Sequence, residues 1–170
     1  MSKRDLKKYL LTLDKVQLEE QVIELYDKFK EVKVYYDFVF NPKENKLIDE
    51  AKIKISNEYF PINGKKAKMR RSVAQKYIKH FILLGVDTFL LADLLLYNIE
   101  IAQAFSSEKI IKQELFYKSM FTSYQQAVGF FITNGILNEF KNRVVAIKEE
   151  AIRQNWVNQH EFNILIEKLE

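Results

Sequence analysis

Residues 81–105, FILLGVDTFLLADLLLYNIEIAQAF, limit what this chain can fold into more than any other stretch. The run is apolar enough to demand an interior, yet Gly85, Asp87, Asp93 and Glu100 interrupt it. It never reaches the roughly 18 uncharged residues that a membrane span requires. Two core helices joined near Val86 are therefore expected, with no membrane contact. Gly85 suits the left-handed residue that follows a helix, and Asp87 offers a side-chain cap to the next one. From Phe89 to Phe105 apolar residues surround most of the helical cylinder, so this helix must be contacted on several sides. Enclosing it takes several more helices. The composition agrees, because four Gly and two Pro in 170 residues are too few to punctuate a many-stranded sheet. The predicted fold is an all-α, single-domain bundle of about seven to nine helices, centred on an antiparallel hairpin of residues 67–84 and 88–105.

Capping signals place the other helices. Ser2 with Asp5, and Asp14 with Gln17, have the spacing of capping boxes. Leu18, Val22, Leu25, Phe29, Val32, Tyr36 and Val39 alternate steps of four and three, which predicts one long helix over 15–40 with an apolar seam. The competing reading makes the aromatic and β-branched segment KVYYDFVF a strand. Pro42 at a first helical position predicts a helix over 42–59, and Pro61 with Gly64 predicts a loop. Further helices are expected over about 109–133 and from Leu137 onward, and Asn158 with Glu161 matches a last capping box. The seam has two readings: packing onto the chain's own bundle, or an interface with a second copy or another protein. Phe38 and Phe40 add apolar positions on other faces, which makes residues 1–40 a candidate protruding arm.

Charge is distributed unevenly. Residues 63–80, NGKKAKMRRSVAQKYIKH, carry seven basic side chains and no acid, while the whole chain has a formal net charge of +4. Lys65, Lys66, Lys68, Arg70 and Arg71 gather at the start of a predicted helix, whose dipole is also positive there. Phosphate would answer that charge, so these five are candidate anion or nucleic-acid contacts. The hairpin register offers an internal use for part of the patch. Asp93, Tyr97 and Glu100 form one polar line on an otherwise apolar helix, and each acid needs a partner if it is buried. Counting outward from Val86 sets Lys79 level with Asp93 and Arg71 level with Glu100. The alternative is a polar pocket with a carboxylate of raised pKa, able to bind a small ligand or do acid/base work.

Two longer segments, SKRDLKKYLLTLDKVQLEEQVIELYDKFKEVKVYYDFVFNP and RRSVAQKYIKHFILLGVDTFLLADLLLYNIE, resemble a family of small uncharacterised bacterial proteins known as a domain of unknown function. The resemblance covers residues 1 to about 145 and implies an all-helical bacterial cytoplasmic protein with no assigned activity. A shorter stretch, FPINGKKAKMRRS, is similar to the second half of the SAP-type DNA-binding module through Phe60, Pro61, Gly64, Lys65, Lys66 and Met69, with Ile55 on its first helix. It departs from that module at Tyr59, where Gly is usual, and at Ala51, where a larger apolar residue is usual.

Enzyme signatures are otherwise absent. The chain has no G-x-G-x-x-G, P-loop or H-E-x-x-H pattern, and His80 and His160 stand alone on predicted helices. No metal and no cofactor is expected. Without Cys there is no disulfide framework and no thiol nucleophile, which fits a reducing compartment. The N-terminus lacks the apolar run of a signal peptide, so a cytoplasmic location is expected. The leading functional reading is a non-enzymatic protein-interaction or self-associating helical protein. The alternatives are nucleic-acid association through the basic patch, and a ligand site or enzyme around Asp93, Tyr97 and Glu100.

Overall fold

The computed structural model describes residues 2–62 and 64–168. Among them it contains nine α-helices and no strand, so the chain is all-α. Contacts divide the chain into two compact units, residues 1–43 and 44–170.

The first unit holds α1 (Lys3–Leu10), α2 (Lys15–Lys28) and α3 (Lys30–Phe40). Both expected capping boxes form: Ser2 Oγ accepts the Asp5 N–H at 3.2 Å, and Asp14 Oδ1 accepts the Gln17 N–H at 2.8 Å. The single helix expected over 15–40 does not. At Phe29 the backbone extends (φ −117°, ψ 116°), yet its N–H still closes α2 on the Leu25 carbonyl and its carbonyl opens α3. Residues 30–40 are helical, not a strand. α3 packs on α2, and the Tyr26 hydroxyl donates to Asp37 at 3.0 Å, a contact that a straight helix would forbid. The expected seam is thereby split. Leu18, Val32 and Tyr36 are half-buried, whereas Val22, Leu25, Phe29 and Val39 stay exposed. None of the three helices contains a fully buried residue.

The second unit holds α4 (Glu44–Tyr59), α5 (Arg71–Leu84), α6 (Thr88–Glu108), α7 (Glu114–Thr133), α8 (Leu137–Arg153) and α9 (Gln159–Glu167). As the apolar pattern requires, α6 is central, with Leu94, Leu96 and Ile99 fully buried. Its length and composition would allow a membrane crossing, with a mean hydropathy of 1.3, and half of that window is buried within the protein. The α5–α6 hairpin exists, although α6 packs most extensively against α4 and α7, and also touches α8. Gly85 takes the left-handed conformation (φ 77°) that ends α5, and Asp87 Oδ1 accepts the Phe89 and Leu90 N–H groups at 2.9 and 3.0 Å. Glu44 receives the Asp87 N–H at 2.9 Å, which ties the start of α4 to the start of α6.

Several boundaries differ from expectation. α4 begins at Glu44, two residues after Pro42, and α5 begins at Arg71 instead of 67 because the Lys68 and Met69 N–H groups are taken by the Glu58 carbonyl. The buried face of α5 is Ala74, Ile78, Phe81 and Leu84, while Ile82 is exposed. α6 runs to Glu108, and α7 starts only at Glu114. Asn158 makes no cap for α9; its amide donates instead to the Tyr117 carbonyl and to Glu161. Around it Trp156, Phe116, Tyr117 and Phe162 meet edge to face with centroids 5.4–5.8 Å apart, binding α7 to α9. Aromatic contacts of this kind add about 0.5–1.5 kcal/mol each beyond area burial.

Candidate functional site

Helical spacing alone puts Asp93, Tyr97 and Glu100 on one line, and between residues 91 and 100 these three are the only ones not fully buried. Their partners are not those of the hairpin register. Arg143, from α8, donates from Nε and Nη2 to both oxygens of Glu100 at 2.9 and 2.8 Å, and from Nη1 to Asp93 at 2.7 Å. Lys52, from α4, reaches the other Asp93 oxygen at 2.5 Å and sits 5.3 Å from the centre of the Tyr97 ring. Two acids meet two cations, so the cluster is neutral and staples α4 and α8 to α6. Lys79 is exposed on α5 and forms no ion pair among the described residues. Lys79 and Arg71 do not reach the two acids because α6 turns its polar line toward the α4–α8 side, away from α5.

This electrostatic setting is the reverse of a poised acid/base group. Burial by itself would push the Asp93 carboxyl up, but the hydrogen bonds from Lys52 and Arg143 outweigh it and hold the group below its ordinary range. The Arg143 guanidinium is held above its ordinary value chiefly by Glu100. A shallow open groove of about 400 Å³ adjoins the cluster, between Asp49, Lys52, Ser56 and Tyr97.

The basic patch also resolves residue by residue. Glu58, in the last turn of α4, is only 9% exposed and organises the end of the loop, residues 68–70. Its carbonyl accepts the Lys68 and Met69 N–H groups at 2.9 and 3.0 Å. Its carboxylate takes Arg70 Nε and Nη2 at 2.8 and 2.7 Å, a bidentate pair. The hydrogen bonds from Arg70 are the main reason that the Glu58 carboxyl lies below its usual value. Arg70, one of the five candidate phosphate contacts, is therefore committed to Glu58. Arg71 turns to α7, donating to Ser123 Oγ at 2.7 Å and Gln126 Oε1 at 3.2 Å with no carboxylate, and burial pushes its guanidinium down. Lys65, Lys66 and Lys68 are exposed and make no ion pair among the described residues.

These three lysines border two hollows. One, of about 490 Å³, has Tyr59, Phe60, Phe105 and Ile111 in its wall and Lys65, Lys66 and Lys109 around it. The other, of about 260 Å³, lies beyond Pro61 and adds Lys68 and Arg70. Sequence reading located the cations but missed Glu58, Lys52 and Arg143. For Glu58 a signal existed: it is the last acid before the seven basic residues spread over 65–79.

Fold and geometry together define an all-helical protein whose core helix is clasped by a neutral ion cluster and whose α4–α5 loop presents exposed lysines that make no ion pair among the described residues. The chain belongs to the Family of unknown function (DUF6155), which it matches over residues 1–170. No curated protein and no solved structure gives a significant match.

Proposed function

We propose that the chain is a non-enzymatic interaction protein that self-associates through helices α1–α3. The carrying observation is the imbalance of the first unit. Its helices bury no residue, while twelve large apolar side chains from Leu6 to Phe40 are exposed. Single exposed apolar residues are ordinary, but a unit of this size with no interior lies near the limit of about 40 residues below which oligomerisation or another staple is usual. A second copy is the favoured occupant because residues 1–43 carry nine basic and eight acidic side chains. That interspersed, nearly neutral surface complements itself better than it complements a strongly charged partner. The absence of Cys suits association in the cytoplasm. Sedimentation velocity over a wide protein concentration range tests the proposal. The sedimentation coefficient should rise with concentration, and a variant carrying Val22→Gln, Leu25→Gln and Val39→Gln should stay at the monomer value.

A second reading, nucleic-acid association, is favoured by Lys65, Lys66 and Lys68, which are exposed and make no ion pair among the described residues. Neutralised phosphates make affinity fall steeply with salt, whereas an apolar helix interface is nearly indifferent to it. The enzyme reading around Asp93, Tyr97 and Glu100 gains no comparable support, since each acid has a cation in contact.

A further inference from the structure

We infer that the hollow between the α4–α5 loop and the α6–α7 connection is a binding site for a nucleoside phosphate, free or within a single strand. The inference rests on the second reading above and gives it a specific site and ligand. The wall supplies an aromatic surface and the edge supplies charge. Phe60 and Phe105 meet edge to face at 5.6 Å and are both half-exposed, so ring surface remains open to a ligand. Beside them Ile110 is 93% exposed, apolar surface with nothing from the protein upon it. Lys65 and Lys66 stand between the two hollows, within reach of a phosphate attached to a group lodged in the larger one. Glu108, next to Lys109 in the chain, also lines the hollow, which disfavours phosphate beside Lys109 and favours Lys65 and Lys66.

A flat ring stacked on an exposed aromatic, with phosphate held by flexible lysines, is how single strands are bound without sequence preference. A duplex hides its base faces and would leave Phe60 and Phe105 unused. The loop is also held in shape before any ligand arrives. Met69, at the cleft wall, has φ 51°, a left-handed conformation that a bulky residue rarely adopts. Its N–H and that of Lys68 both bond the Glu58 carbonyl, while Arg70 grips the Glu58 carboxylate. Strain kept by surrounding bonds is a mark of a pre-shaped site, which loses less freedom on binding.

The test is fluorescence anisotropy at about 50 mM salt, with a labelled single strand of about 12 thymidines, an equal-length duplex, and AMP as competitor. The strand should bind more tightly than the duplex, and its affinity should fall with salt at a slope of about −0.7 per phosphate neutralised. Lys65→Gln with Lys66→Gln, both on the exposed loop, should flatten that slope. Phe60→Leu should weaken the strand roughly tenfold and leave the slope unchanged, because stacking is lost and no charge is. Displacement by AMP places the site's preference on the free nucleotide, and its failure places it on the strand. Tighter duplex binding that ignores Phe60→Leu would overturn this inference and leave general nucleic-acid association standing. No binding by any probe, or equal binding by the lysine variant, would overturn both.

Discussion

Glu58 acts through both its main chain and its side chain, the carbonyl holding the Lys68 and Met69 N–H groups and the carboxylate holding Arg70. Replacing it with Gln keeps one acceptor but ends the charge-assisted bidentate contact with Arg70. The variant should lose about 1–2 kcal/mol in urea denaturation. Glu58 and Asp93 both have carboxyls held below their ordinary values of 4.5 and 3.8 by cationic partners. Their contribution is full above those values and disappears as pH falls through the lower folded-state values. Wild-type stability should therefore drop on acidification below about pH 5, and a Glu58→Gln, Asp93→Asn variant should show a shallower drop. At Arg143 the expectation is a coupling: Arg143→Met and Asp93→Asn should each destabilise, and a double-mutant cycle should return an interaction of about 0.5–3 kcal/mol. The polar line itself was legible in the sequence because residues four and three apart on a helix share a face. Its partner was not, because Arg143 lies 50 residues from Asp93 and 43 from Glu100, and only tertiary packing decides which helix flanks which.

At the scale of elements, caps were the most readable feature and interior breaks the least. Ser2, Asp14 and Asp87 act as their side-chain chemistry dictates, each oxygen accepting backbone N–H groups that the first turn leaves free. Asp87→Ala should cost about 1 kcal/mol, read from the thermal or urea transition through the buried Trp156. Glu44→Gln should cost less, because an amide oxygen still accepts the Asp87 N–H. The break at Phe29 carries no Gly or Pro and preserves heptad spacing on both sides, so the sequence pattern reads straight through it. What ends α2 is the fold-back that lets Tyr26 reach Asp37 and approach Tyr36 with ring centroids at 6.4 Å. The late start of α5 has a similar origin. Nothing local forbids helix at Lys68, but Glu58 competes for its N–H. Asn158 shows the converse: its side chain is buried, its amide donates to the Tyr117 carbonyl and to Glu161, and its oxygen accepts no N–H from the first turn of α9.

For the molecule as a whole, the two units differ in how they satisfy their apolar residues. Residues 44–170 surround α6 and gather an aromatic centre on Trp156, while residues 1–43 form three helices with no interior. The apolar pattern pointed to the all-α class and to the central place of α6, since a helix apolar all round and interrupted by Asp93 and Glu100 suits enclosure by other helices better than a lipid span. It could not distinguish a seam spent inside the chain from one left at the surface, because both need the same spacing. Self-association is the proposal that gives the exposed seam a partner. The direct measurement is sedimentation equilibrium of the full chain from about 1 to 100 µM, alongside the Val22→Gln, Leu25→Gln, Val39→Gln variant. The account predicts a mass rising from the 20.3 kDa of one chain toward twice that value, with the variant remaining at 20.3 kDa and its Trp156 emission unchanged. A wild-type mass of 20.3 kDa at every concentration would contradict it.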